Sequence, residues 1–397
     1  MTSTLHGSQA RPARLREDDC RLDDFAAVVE ATTDAADYPF AARVDHDVLV
    51  YEAAALRPVI ADPARREDVE AELVRALSDG PGIVVLAGAF DDHAVVDRVT
   101  AVFDEIIEAE RLAGTAPGDH FAKPGANSRV WNALEKLAVR DPEAFVDYYA
   151  NDLLALISRS WLGPGYQITS QVNVVRPGGV AQDPHRDYHL GFLANDVVEQ
   201  YPTHVHLLSP VLTLQGAVAH SDMPVESGPT MYLPHSHKYA PGYLAWRRPE
   251  FRAYFAEHHV QLPLAKGDAA FFNPAVFHGA GNNVSADVQR MANLLQVSSG
   301  FGRAMEAVDR ARVSRSVYPV LAARQDAGAD PGRLANAIAA TAEGYPFPTN
   351  LDLDQPIDGL TPLSQAEILH QALDEGWPAS RVDEALAGYA DRRRTDG

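Results

Sequence analysis

The chain is expected to fold as a mainly β core, a sandwich or barrel, flanked by N- and C-terminal helices. Between about residues 165 and 300, short strand-like runs are separated by turns rich in Gly and Pro. Before and after that stretch, apolar residues recur at helical spacing. With 46% hydrophobic and 22% charged residues over 397 positions, the composition provides for a sizeable buried core.

Taken in order, residues 1–20 are polar and irregular and read as a flexible tail. Val69 to Leu77 is amphipathic and predicts a helix that ends at Asp79-Gly80-Pro81-Gly82; Ile83-Val84-Val85-Leu86 then reads as a buried strand. Asp91 and Asp92 start a helix to about Glu110, since acidic groups favour the positive end of its dipole. Residues 114–130 (GTAPGDHFAKPGANSRV) read as a long loop, and Pro142 to Leu162 as one helical stretch. The strand-like runs are Gln167–Val175, His185–Phe192, Val211–His220, Thr230–Leu233, Ala269–Phe272 and Met291–Val297. Residues 304–397 return to helix, ending in Ser364–Leu373 and Ala379–Ala390, and are expected to pack on the core as a C-terminal extension.

A net charge of −21 argues against a nucleic-acid surface, which needs clustered Lys and Arg. The single cysteine, Cys20, cannot form an internal disulfide, so a cytoplasmic setting is expected. The first twenty residues lack the apolar run of a secretory signal, and no stretch of about 18 apolar residues suggests a membrane span. A small-molecule enzyme, monomeric or homodimeric, fits these limits.

The chemistry concentrates in two stretches. In Pro184-His185-Arg186-Asp187-Tyr188-His189, a strand would turn His185 and Asp187 to one face, where an imidazole and a carboxylate can share a divalent metal. On the same parity, His189 would line the pocket. About ninety residues later, Gly267-Asp268 opens an apolar segment that delivers His278. Two histidines and one carboxylate would form a facial triad with three positions left for other ligands. Arg290 lies twelve residues beyond His278. If its strand pairs with the strand of His278, the guanidinium points into the same barrel and can grip a carboxylate through two parallel hydrogen bonds. Taken alone, a surface pair with Asp287 is the better reading of Arg290. His204, His206 and His220 lack a matching carboxylate and are not expected to form a second metal site.

Four motifs occur in an order that resembles the phytanoyl-CoA dioxygenase family. They are His185-x-Asp187, Gly228-Pro229-Thr230 through Pro234-His235-Ser236-His237, Lys266-Gly267-Asp268 through Phe277-His278-Gly279, and Arg290. His235 stands where the family usually has Gly. The resemblance implies a double-stranded β-helix (jelly roll, cupin-like) core at about 165–300 within an oxygenase domain of residues 21–303. It further implies Fe(II), 2-oxoglutarate and O2, with His185, Asp187 and His278 on the metal and Arg290 on the distal carboxylate of 2-oxoglutarate. Gln171 and Asn173, same-face positions on the preceding strand, are candidate cosubstrate contacts. Gln215, where the family often carries an aromatic residue, and Lys123 and Arg129 in the long loop are candidates for the substrate pocket. In related halogenases a small residue replaces the carboxylate, so an intact Asp187 favours hydroxylation. A cupin-like metal enzyme without 2-oxoglutarate, or a non-catalytic jelly-roll binding module, would share the fold but would not need Arg290.

Overall fold

The computed structural model describes residues 12–115, 127–357 and 359–395. The N-terminal part runs α1 (Leu22–Val29), β1 (Arg43–Asp45), β2 (Val48–Glu52), α2 (Ala53–Ile60), α3 (Pro63–Ser78), β3 (Ile83–Ala87), α4 (His93–Leu112), β4 (Asn127–Val130), α5 (Ala133–Arg140), α6 (Pro142–Tyr149) and α7 (Asp152–Leu162). The middle part holds β5 (Gln167–Val175), the short helices α8 (Asn195–Val198) and α9 (Thr203–Leu208), β6 (Thr213–Ala219), β7 (Thr230–Leu233), α10 (Gly242–Ala245), α11 (Pro249–His258), β8 (Val260–Gln261), β9 (Ala269–Phe272), β10 (Phe277–Ala280) and β11 (Arg290–Ser298). Four helices follow: α12 (Arg310–Asp326), α13 (Pro331–Thr341), α14 (Gln365–Asp374) and α15 (Ala379–Asp391). No helix among the described residues is long and apolar enough to cross a membrane.

The strands form two sheets, as a jelly roll requires. The larger has the order β1-β2-β3-β9-β6-β11-β5-β4, antiparallel except for β2–β3; the smaller has the order β10-β7-β8. An isolated bridge from His185 to His278 extends the small sheet by one more short segment. The two-residue alternation of strands sorts the side chains of the large sheet. Leu49, Val84, Phe271, Leu295 and Val172 face outward into a core shared with the helices. Val48, Val85, Ala270 and Phe272 face inward toward Tyr232 and Leu262 of the small-sheet side. Inner positions 290, 292, 294 and 296 of β11 line the cavity between the sheets.

Several expectations need correction. The stretch read as a strand over His185–Phe192 is extended only at His185; Tyr188 and His189 take positive φ (61° and 40°), and a 3-10 turn spans His189–Phe192. The helix expected over Pro142–Leu162 is two helices, because Asn151 caps the second by accepting from the amides of Leu153 and Leu154. The end of the expected loop, Asn127–Val130, is a strand paired with β5. Of the expected tail, residues 1–11 lie outside the described residues, but Leu15 and Cys20 are buried and Thr203 donates its amide to the carbonyl of Ala13. The strand of Arg290 pairs with β5 and β6 and not with the strand of His278, which pairs with β7.

Candidate metal centre and cavity

His185 and His278 are brought face to face by the bridge between their backbones, with ring centroids 4.4 Å apart. In each, Nδ1 lies 2.9 Å from the carbonyl two residues earlier, that of Asp183 and of Val276. A carbonyl can only accept, so Nδ1 carries the proton and Nε2 keeps a lone pair for a metal. The turn after His185 places the Asp187 carboxylate between the two rings. Its Oδ1 is 3.5 Å from Nε2 of His185, and its Oδ2 is 3.6 Å from Nε2 of His278. The three ligand atoms lie within 4.8 Å of one another. An ion bonded at about 2.1 Å to each would draw them to about 4.2 Å or less, a small adjustment. Two imidazole nitrogens and one carboxylate oxygen are a donor set suited to iron(II). Burial raises the affinity of Asp187 for a proton, but His185, His278 and Gln215 outweigh it and hold the carboxyl well below the usual range. Burial likewise lowers the pKa of His185, against the pull of Asp187, which favours the neutral imidazole. The residues present therefore fit the metal.

The triad opens on a cavity of about 860 Å³ between the sheets. Phe272 stacks obliquely on His278 at 4.7 Å, and Trp246 meets His185 edge-on at 6.4 Å. Arg290 lines the same cavity, is 6% exposed, and makes no side-chain hydrogen bond or ion pair to a described residue. Burial alone pushes its pKa down to about 10. The Asp287 partnership is not formed among the described contacts, and the guanidinium faces inward although β10 and β11 belong to different sheets.

Gln171 and Asn173 both line the cavity. Gln171 accepts from Nη2 of Arg129 at 2.8 Å, while the buried Oδ1 of Asn173 has no hydrogen-bond partner among the described residues. Arg129 sits on β4 and its guanidinium lies 4.7 Å from the ring centre of Trp131. Gln215 also lines the cavity, and its amide donates to Oδ2 of Asp187. Lys123 lies outside the described residues. His189 is not part of this cavity: the positive-φ turn swings it into a smaller pocket with Leu190, Tyr201 and Leu208, where Nδ1 meets Ser209 Oγ at 3.0 Å. His220 is committed to Thr100 and Tyr148 at 2.8 and 3.0 Å, far from any ligand role. Trp246, Trp131 and Phe192 also line the cavity and carry no spacing signal in the sequence.

Facing jelly-roll sheets with two histidines and an aspartate at their inner wall, and a buried arginine in the same cavity, define a non-haem iron(II), 2-oxoglutarate-dependent enzyme. The chain belongs to the phytanoyl-CoA dioxygenase (PhyH) family, whose profile matches residues 78–292. Iron(II), 2-oxoglutarate and dioxygen are accordingly its cofactor and cosubstrates. Membership sets aside the 2-oxoglutarate-independent cupin and the non-catalytic module. Among solved structures, it is similar to the epimerase SnoN in complex with Fe3+, alpha ketoglutarate and nogalamycin RO. That match has 20% identity over 60% of this chain and 85% of SnoN, with a TM-score of 0.39. It is also similar to the carbocyclase SnoK from nogalamycin biosynthesis, at 21% identity over 59% of this chain and 86% of SnoK, with a TM-score of 0.42. No curated protein matches the sequence.

Proposed function

We propose that His185, Asp187 and His278 hold a single iron(II), and that Arg290 binds the distal carboxylate of 2-oxoglutarate. The reaction we assign is hydroxylation of an unactivated C–H bond in a small, largely apolar metabolite or natural-product intermediate. The observation that carries the reading is Arg290, a buried cation without an anionic partner among the described residues. A guanidinium held out of water is costly until an anion meets it, and a dicarboxylate entering the cavity provides that anion through paired hydrogen bonds.

Iron with 2-oxoglutarate supplies, when bound, dioxygen-driven oxidation of a C–H bond with release of succinate and carbon dioxide. The chain supplies the rest. His185 and His278 present lone pairs fixed by their backbone hydrogen bonds, and Asp187 contributes one negative charge already ionised. Asn173, diagonal from Arg290 across the β5–β11 pair, has a side-chain NH2 that can donate to a carboxylate, and Gln171 adds a second polar contact beside it. The cavity, about 860 Å³, is far larger than a five-carbon diacid needs and falls in the range that encloses drug-sized ligands. Trp246, Phe192, Tyr232, Leu262 and Met305 give it a mostly apolar lining, which excludes water from the reacting centre and favours an apolar substrate.

The test is anaerobic visible spectroscopy of metal-free protein on adding Fe(II) and then 2-oxoglutarate. A charge-transfer band is expected in the parent, absent in Asp187→Ala, and needing at least about tenfold more 2-oxoglutarate in Arg290→Ala. A folded, iron-loaded parent with no band would sink the reading. With a substrate in hand, a product lacking an oxygen atom from labelled dioxygen would refute hydroxylation alone.

A further inference from the structure

Asp187 has two oxygens, and the structure treats them differently. Each oxygen faces one histidine, Oδ1 His185 and Oδ2 His278, but among the described residues only Oδ2 also accepts a hydrogen bond, from the Gln215 amide. Gln215 lies on the inner face of β6, 3% exposed. A carboxylate can only accept, so the amide nitrogen must point to Asp187. That orientation leaves Oε1 of Gln215 buried without a partner among the described residues. Directly across the β6–β11 pair stands Gln296, whose Oε1 accepts from the hydroxyl of Tyr188 at 2.6 Å. Two cross-strand glutamines thus grip consecutive residues, Asp187 and Tyr188, from the rigid large sheet. The grip falls where the chain leaves extended geometry, with Tyr188 at φ 61°. Such strain persists in a non-glycine residue only where the surroundings over-determine it.

We infer that Gln215, supported by Gln296 through Tyr188, is a positioning residue that reserves Oδ2 of Asp187 and leaves Oδ1 as the single oxygen offered to the metal. This rests on the assignment of His185, Asp187 and His278 as iron ligands. One oxygen per carboxylate keeps three coordination positions free, while a two-oxygen grip would take one of them away. The orphaned Oε1 separates this role from ordinary packing. A buried amide kept for stability would satisfy both ends; this one satisfies only the end that faces Asp187.

The experiment compares Fe(II) titrations and metal-free thermal melts of the parent, Gln215→Met, Gln215→Asn and Tyr188→Phe. Met keeps the length and removes the amide with its unpaired oxygen; Asn keeps the amide but falls one methylene short. Both are expected to raise the Kd for Fe(II) by about 10- to 100-fold, the usual consequence of losing a partner of a metal ligand. The metal-free melting temperature of Gln215→Met should fall by only a few degrees, because the amide is one of three groups that hold the Asp187 carboxylate ionised. Tyr188→Phe should raise the Kd by a smaller factor. Parent-like Fe(II) affinity in folded Gln215→Met or Gln215→Asn would overturn the inference. So would a metal-free melting temperature lowered by more than roughly 5 °C in Gln215→Met, which by the usual conversion for a chain of this size is a packing loss of about 4 kcal/mol, more than one hydrogen bond accounts for. If the parent itself binds no Fe(II), the ligand assignment fails, and this inference with it; parent binding with indifferent variants removes the inference alone.

Discussion

Arg186, the residue between two metal-ligand candidates, is a fully buried guanidinium that no described carboxylate meets. It donates to the carbonyls of Ser236 and Tyr239 at 2.6 and 2.9 Å, and lies between the rings of Tyr243 and Phe277 at 5.1 and 5.3 Å. It thereby ties the His185–Asp187 segment to the loop that follows β7. Gly242 makes the room: a Cβ there would stand 2.0 Å from Cζ of Arg186. Gly242→Ala should therefore displace the guanidinium, lower stability by about 1–3 kcal/mol and weaken Fe(II) binding. Urea unfolding and an iron titration check this, and an unchanged midpoint would mean that the seat of Arg186 yields freely. At this scale the sequence was partly legible. His185, Asp187, His278 and Arg290 stood out because few residue types do their chemistry and their order is restrictive. Arg186 carried no signal, since the middle of His-x-Asp follows no pattern. His189 was misplaced because strand parity ends at Tyr188, and a positive φ in a tyrosine leaves no mark in composition. His235 is the converse: its φ of 65° accounts physically for glycine at that place in the family, as glycine enters this region without a Cβ penalty.

Strands bounded by Gly and Pro were read well, and Thr230–Leu233 and Ala269–Phe272 match the structure end for end. Both are short apolar or β-branched runs buried between layers. β4 escaped because its residues, Asn127–Val130, have loop-like composition; its partner across the sheet, β5, decides its state. The break between α6 and α7 was hidden by continuous apolar periodicity. Asn151 enforces it with three hydrogen bonds, accepting from Leu153 and Leu154 at 3.0 and 3.1 Å and donating to the carbonyl of Ala89 at 2.7 Å. Since Asn151 is buried, Asn151→Ala removes a cap and also one of the two side-chain donors to the Ala89 carbonyl, leaving Arg57 as the other. The expected loss is about 2 kcal/mol or somewhat more, read as a lower urea midpoint with an unchanged slope. A loss below about 0.5 kcal/mol would show that tertiary packing alone holds the two helices apart.

Across the molecule, buried histidines that join separate elements have pKa values lowered by burial, which favours their neutral form. His220 joins the end of β6 to α4 and α6 through Thr100 and Tyr148, and burial drives its pKa down to about 3. His237 ties the loop after β7 to the end of α3 through the carbonyl of Ser78, and burial likewise lowers it to about 3. His235 is lowered to about 4 by burial and by the neighbouring Lys238. Unfolded, each titrates near 6.5. Below that pH the unfolded chain binds protons that the folded chain refuses, so stability falls as pH falls, and the loss continues until the folded pKa is reached. Buried carboxyls with raised pKa, Glu72 and Asp268 among them, act in the opposite sense, because the folded state binds their protons first. A single variant separates the two contributions. His220→Gln keeps a donor for one hydroxyl and an acceptor for the other but cannot be protonated. Its unfolding free energy should therefore lose less than the parent's between pH 6.5 and 4, by up to about 1.4 kcal/mol for each pH unit. Urea titrations of both proteins at pH 7, 5.5 and 4.5 measure the difference directly, with the carboxyl contributions cancelling. Parallel pH dependences would mean that His220 is protonated in the folded protein, and that the bond from Tyr148 and the burial between sheet and helices do not set its charge.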